Sequence, residues 1–428
     1  MFKYIALCVA LSIPLCSRAA TDEELSEIRA QIKQLQQTEA ASRQNILPVA
    51  SSESAFNPAI SLILSGTYGQ LRQDPAVSVT GFAMNPNPGH QQGFNLSESE
   101  LVISANIDPR FRGEATLALE PDDSLGVENA FVQTTALGNG LKFKMGRYFS
   151  GLGYLNEKHA HAWDFVDQPL VYRTLWDNQL GEDGIQLKWL APTDTFIEVG
   201  GELGRGRGFP GSDRQRKNGT GSGVLFAHAG DDIGVSHSWR AGFSLHQTRR
   251  ENAASDNVPD LPGTVGGVSN SFSGDSKTAG LDFVWKYAPS GNVSVTSFKL
   301  QGEYFRRREN GLLTYDMTGA NTTDSYAVTQ SGWYLQGVHQ FMPRWRTALR
   351  YDQLDPGTAQ VGASNSGNVI SNVGYTPKRT ALMLDYSPSE FSRLRLQVAQ
   401  DRSRQGLTDN QLFVQYIMSL GAHGAHPF

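Results

Sequence analysis

The chain has 428 residues, enough for two or three ordinary domains or for one large barrel. Charged residues make up 18% and aromatics 10%, with 44 glycines, which is too little charge and too many rings for a disordered chain. Mean hydropathy is −0.36, and no 18-residue apolar run follows position 20, so a bundle of membrane helices is excluded. A polar chain rich in aromatics and glycine is the bulk composition of a transmembrane β-barrel.

The first segment reads as a secretory signal peptide, residues 1–19. Lys3 supplies the positive start, Tyr4 to Leu15 is nearly all apolar, and Ser17 and Ala19 are small residues at the cleavage positions. The two cysteines, Cys8 and Cys16, both lie in it, so the mature chain is expected to hold no disulfide and no thiolate metal site. Loss of Lys3 and Arg18 leaves 35 basic against 42 acidic residues, the wrong balance for a nucleic-acid binder.

Residues 20–45 read as a periplasmic coiled-coil helix. Thr21 can cap it, Glu24 follows three later, and Leu25, Ile28, Ile32 and Leu35 are spaced 3, 4, 3 as an a/d seam. Two heptads are marginal alone, so the seam either joins chains already gathered by something else or lies on its own barrel. Residues 46–58, with Pro48 and Pro58, read as a linker.

From residue 59 the period becomes 2. Leu141, Phe143 and Met145 alternate with Lys142 and Lys144; Trp239, Ala241 and Phe243 with Arg240 and Gly242; Trp345, Thr347, Leu349 and Tyr351 with Arg346, Ala348 and Arg350; Leu394 and Leu396 with Arg393 and Arg395. Strands are expected at 59–70, 96–107, 113–120, 127–135, 141–149, 183–190, 195–204 and 222–229. They continue at 235–247, 279–287, 293–306, 330–341, 345–353, 378–387, 392–402 and 409–420. Every second connection is a tight turn, such as Asp108-Pro109-Arg110 or Met342-Pro343-Arg344. The alternate connections include the long stretches 71–95, 150–182, 248–278, 307–329 and 354–377. A soluble sandwich has no reason to sort its loops by end; an outer-membrane barrel is built that way. The expectation is an all-β, sixteen-stranded antiparallel transmembrane barrel over 59–428, with both termini on the periplasmic side. Sixteen strands leave an aqueous channel, and loop 150–182 is the candidate to narrow it.

The segment Glu23–Thr38, the strand Leu141-Lys142-Phe143-Lys144-Met145-Gly146-Arg147-Tyr148 and the long loop after it resemble the phosphate-selective porin family and the porin-like proteins around it. The resemblance implies homotrimers in the outer membrane of a Gram-negative bacterium, a third loop folded inward, and basic residues lining an anion pathway. Carried to this chain, the pore-lining residues are Lys142, Lys144, Arg240, Arg346, Arg350, Arg393 and Arg395. The constriction-loop residues are His159, His161, Asp164, Asp167 and Arg173. The lumen parity also carries Glu98, Glu100, Glu198, Glu202, Asp282, Glu303 and Asp352, so a general pore for polar solutes stands beside an anion-preferring one.

The run Glu157-Lys158-His159-Ala160-His161-Ala162-Trp163-Asp164 also resembles proteins labelled zinc-regulated outer-membrane receptors. Two imidazoles and a carboxylate suit Zn²⁺, so His159, His161 and Asp164 form a candidate metal site, with zinc as a transported ion rather than a cofactor. Histidines that merely pack the loop are the alternative. A plug plus a 22-stranded barrel does not fit the residues after the linker, so any zinc route would be a selective pore. A surface adhesin using the long loops is a further alternative. No enzyme is expected: there is no G-x-S-x-G elbow, and Gly204-Arg205-Gly206-Arg207-Gly208 has no helix pattern behind it.

Overall fold

The computed structural model describes residues 57–421, apart from 74–77, 83–90, 121–123, 212–217, 256–267 and 369–373. The expected signal peptide, the coiled-coil segment, nearly all of the linker and the tail 422–428 lie outside the described residues.

Sixteen antiparallel strands close into a barrel. They are β1 (Ala59–Gln70), β2 (Gly93–Leu96 continued by Ser99–Asp108), β3 (Phe111–Leu119), β4 (Leu125–Thr134), β5 (Leu141–Phe149), β6 (Gly181–Leu190), β7 (Phe196–Gly204) and β8 (Ser222–Ile233). The second half is β9 (His237–Ser255), β10 (Asn270–Tyr287), β11 (Ser297–Tyr315), β12 (Thr322–Met342), β13 (Trp345–Asp355), β14 (Lys378–Ser389), β15 (Ser392–Arg402) and β16 (Asp409–Gly421). Each strand pairs with the next, and β1 pairs with β16 to shut the sheet, Leu62 opposite Leu420 and Tyr68 opposite Val414. A two-residue piece, Gln360–Val361, pairs with β12 inside the loop after β13 and adds no wall strand.

The alternation does what the sequence implies. Leu62, Leu64, Leu187, Trp189, Phe243, Leu281, Phe283, Leu394 and Leu396 point outward and are exposed, while their neighbours turn to the lumen. Exposed apolar side chains on every strand would be a liability in water and are what lipid contact requires. Short turns, including 109–110, 234–236, 343–344 and 390–391, sit at one end; loops, including 150–180, sit at the other.

The wall is uneven. β3 to β7 have 9 to 10 residues each, whereas β9 to β12 have 18 to 21. Much of what reads as loop at 248–278 and 307–329 therefore continues as strand. There Arg307 and Glu309 face inward while Arg306, Arg308 and Asn310 face outward, so both sides are polar and the apolar beat fades above the lipid edge.

Bulges in β2 and β4 reset the side-chain parity around the start of the barrel. Between β1 and β2 the pairs Gly66–Leu96 and Ile63–Glu100 leave β2 with one extra residue. Between β3 and β4 the pairing passes from Leu117–Val127 to Thr116–Asn129, so Glu128 is the extra residue. Glu128 and Asn129 thereby both reach the lumen side, although they are consecutive.

Candidate functional site: the lumen and its constriction loop

The loop joining β5 to β6 (residues 150–180, here L3) folds into the barrel. Its apolar stretch forms helix α1 (Leu170–Trp176), started after Pro169 and ended by Asp177 in the left-handed conformation. Six of the seven helical side chains are buried, and Arg173 is the exception. Leu170, Val171, Tyr172, Leu175 and Trp176 pack with Leu152, Leu155 and Leu180 of L3, with Val224, Phe226, Phe305, Tyr334 and Leu354 of the wall, and with Val79 and Phe82 of the loop after β1. Phe226 and Phe305 reach Trp176 and its neighbours because the wall residues opposite them, Gly200 and Gly280, have no side chain. A Cβ on Gly200 would stand 2.1 Å from Phe226 Cζ. The middle of the lumen is thus a small hydrophobic core, contrary to the open tube that strand count alone suggests.

Polar contacts fix the loop to nearly every side of the wall. Glu303 accepts hydrogen bonds from Tyr154 N (3.2 Å), Leu155 N (2.9 Å), the Tyr172 hydroxyl (2.5 Å) and the Tyr334 hydroxyl (3.0 Å). Glu202 accepts from Gly151 N at 2.8 Å, and Asp352 from Leu170 N at 3.0 Å. Arg350 donates to the Asp167 carbonyl and carboxylate, both at 2.7 Å, and to Asp352 at 3.0 Å. Arg379 reaches Asp167 at 2.6 Å and Asp401 at 3.5 Å. Arg395 bonds Asp385 at 2.9 Å and the Trp163 carbonyl at 2.7 Å.

This corrects the expected arginine track. All seven predicted basic residues sit on the lumen side of their strands, but they do not form one cationic path. Arg350 and Arg395, each with 1% of its side chain exposed, grip L3 and its acids. Arg240 donates to the Gly153 carbonyl at 3.0 Å and lies over the Tyr154 ring. Lys144 sits over the rings of Phe131 and Tyr148, and Lys142 is exposed near the turn end of β5. Arg346 and Arg393 keep 17% and 20% of their side chains open.

Two cavities flank L3. One of about 630 Å³ at the loop end is lined by Glu98, Glu120, Glu128, Asp167 and Asp177 against Arg173 and Arg207. The other, of about 760 Å³ at the turn end, is lined by Lys158, Lys286, Lys299, Arg346 and Arg393 against Glu157, Asp164 and Asp232. One mouth is therefore acidic and the other basic, and His161 lines both.

The histidines meet carboxylates, but not the one expected. The turn Ala160–Ala162 brings the His159 and His161 rings into a stack 5.9 Å apart. His161 Nδ1 lies 2.6 Å from Glu100 Oε1, and His159 Nδ1 lies 2.8 Å from Glu128 Oε2 and 3.4 Å from Glu100 Oε2. The far nitrogen of His159 is 2.8 Å from Asn129 Nδ2. Burial alone would lower the His159 pKa, but the Glu128 hydrogen bond and the Glu100 and Glu128 charges outweigh it and push it up to about 9. Asp164 lies instead against the wall at β11 to β13, 2.6 Å from Lys299, 2.8 Å from Gln336 Nε2 and 3.5 Å from Arg346. Burial would raise its pKa, yet Lys299 and Arg346 hold it well below the ordinary carboxylate range. Asp167 belongs to Arg350 and Arg379, and Arg173 stands 4.0 Å from Asp401. The expected trio His159, His161 and Asp164 is thus divided after the turn, with Glu100 and Glu128 beside the imidazoles. Glu128 was hidden by the bulge. Arg379 and Asp385 could have been found, because both keep the lumen parity of β14.

No family model matches this chain. Among solved structures, the loop L8 deletion mutant of OmpT, an outer membrane protein of Vibrio cholerae, superposes with a TM-score of 0.50 at 14% identity, covering 86% of this chain and 100% of that one. An anion-selective porin from Comamonas acidovorans gives a TM-score of 0.48 at 13% identity, over 85% of this chain and 99% of its own. The likeness to OmpT is one of fold, that of an outer-membrane β-barrel. At the level of sequence the chain is 30% identical over 403 residues to an uncharacterized protein of Aquifex aeolicus (strain VF5), covering 88% of this chain and 81% of that protein, and it belongs to the same family.

Proposed function

We propose that the chain is an outer-membrane channel through which small polar solutes diffuse down their gradients, with L3 as a fixed constriction. The observation that carries this reading is the pair of charged cavities on either side of L3. A lumen built only to be sealed would not need an ionic lining at both mouths. The basic turn-end mouth, with Lys286, Lys299, Arg346 and Arg393, favours an anion preference for solutes there. Phosphate is one such solute.

Homotrimer assembly fits the uneven wall. Outward aromatics such as Trp239, Trp285, Tyr287, Phe341, Trp345 and Tyr386 belong to β9 to β14, where an interface with lipid head groups is expected. Towards the turn end β1 and β2 present Ile60, Leu62, Leu101 and Ile103, with the Tyr68–Phe94 ring pair nearer the loop end, a face that a second copy could cover. Because β1 begins at the turn end, the segment before it would lie in the periplasm of a Gram-negative cell, where its a/d seam could join three chains.

Planar-bilayer recording of the purified mature protein tests the reading. Conductance steps in groups of three, with a reversal potential biased towards chloride in a KCl gradient, are expected. A folded protein that inserts and conducts nothing would overturn it and favour a surface-binding role for the loops.

A further inference from the structure

We propose that Glu100, Glu128 and His159 bind one divalent transition-metal ion, with His161 and Asn129 holding two of the ligands in position. Glu100, Glu128 and His159 each offer one ligand atom, and these atoms all lie within 4.8 Å of one another, with His159 Nδ1 at 3.4 Å from Glu100 Oε2 and 2.8 Å from Glu128 Oε2. A tetrahedral ion with bonds of about 2.1 Å separates its ligands by about 3.4 Å, the separation already present between His159 Nδ1 and Glu100 Oε2, whereas the 2.8 Å contact of His159 Nδ1 with Glu128 Oε2 must open to admit it. Two carboxylate oxygens and one imidazole are a donor set that suits Zn²⁺, leaving a fourth position open towards the loop-end cavity, which Glu128 and His161 both line.

Three further observations point to a cation. Among the described residues, Glu100 Oε2 is a buried carboxylate oxygen without a hydrogen bond, on a side chain with 0% exposure. Its other oxygen is taken by His161 Nδ1, an arrangement that aims Oε2 at His159. Carboxylates also gather here, Glu98 standing close to both Glu100 and Glu128, and an ion bound among them would offset part of their mutual repulsion.

The surroundings of His159 also suit metal binding. With a metal on Nδ1, the ring proton must sit on Nε2 and needs an acceptor. Asn129 Nδ2 now faces that nitrogen, and its Oδ1 is without a hydrogen bond among the described residues. Turning the amide by half a revolution places Oδ1 on the Nε2–H and satisfies both groups. The ion would also tie L3, through His159, to β2 and β4, strands that the other anchors on Asp167 and Glu303 do not reach.

The site stands whether or not solute flows, so its test is binding rather than conductance. The folded mature protein in detergent, carrying His423→Ala and His426→Ala to remove the tail imidazoles, is titrated with Zn²⁺ by calorimetry. The stoichiometry is checked by elemental analysis. One ion per chain is expected, with affinity reduced at least about 10-fold in Glu128→Gln and in His159→Ala and unchanged in Asp164→Asn. Substituting Co²⁺ should give the visible spectrum of a tetrahedral site. Should a ligand variant fail to fold, Asn129→Ala, which removes only the supporting hydrogen bond, should weaken binding about 10- to 100-fold. No stoichiometric binding by the folded protein, or binding indifferent to Glu128, His159 and Asn129, would overturn the proposal.

Discussion

Arg350 of β13 and Asp167 of L3 meet at 2.7 Å inside the barrel, and the same guanidinium also bonds the Asp167 carbonyl and the Asp352 carboxylate. One buried cation thereby holds a loop backbone, a loop acid and a wall acid together. Removing it leaves two carboxylates, with Arg379 still paired to Asp167.

Arg350→Ala should therefore loosen L3 without opening the barrel. Breaking a buried ion pair from one side costs about 3–5 kcal/mol. The barrel's sheet hydrogen bonds are untouched, so heat-modifiable migration in gels should persist, while limited proteolysis should gain a cut within residues 150–180. Unchanged protease resistance would show that the hydrophobic packing of α1 suffices by itself.

Gly200→Ala acts on the same loop from the other side. Its Cβ would collide with the Phe226 ring, which cannot yield without displacing the packing around Trp176. Overpacking of this kind costs about 1–3 kcal/mol. The expected result is a lower unfolding midpoint, and a midpoint equal to wild type would mean that the ring has room to turn.

Selectivity should follow the open cations, not the buried ones. Lys286→Ala with Arg393→Ala removes two charges from the turn-end cavity and should shift the reversal potential towards cations. The shift should be larger near 0.1 M salt, where the Debye length is about 10 Å, than at 1 M, where it is about 3 Å. Equal shifts at both salts would argue against an electrostatic cause.

An acidic mouth facing a basic one should make the current depend on the sign of the voltage. At 0.1 M KCl the current–voltage curve is expected to be asymmetric, and the asymmetry should fade at 1 M. Swapping Glu98 and Glu120 for Gln should reduce it, because both line the loop-end cavity. A linear curve at low salt in the unmodified protein would contradict the polarity of the lumen.

The parts of the barrel that touch lipid were legible because lipid imposes a beat. Trp345, Thr347, Leu349 and Tyr351 must face out, so Arg346 and Arg350 must face in. Above the lipid the constraint lapses, and the upper halves of β11 and β12, with Arg306 beside Arg307, read as loop. The inward loop was legible in outline. The apolar run from Leu170 to Trp176 has no place on a water-exposed loop, and its burial inside the lumen resolves that conflict. What the residues meet was not legible. Asp164 and His161 are three apart, yet the turn between them sends one to Lys299 and the other to Glu100. The bulge that delivers Glu128 leaves no mark in the sequence, because an extra residue in one strand is visible only against its partner.

The central claim is that small solutes cross a lumen whose width L3 sets. Swelling of proteoliposomes in a series of neutral sugars of increasing size measures this without charge effects. The account predicts entry of the smallest sugars with a cut-off in the wild type, and a cut-off moved to larger sugars in Arg350→Ala. No swelling with the smallest sugar, or the same cut-off in both proteins, would contradict it.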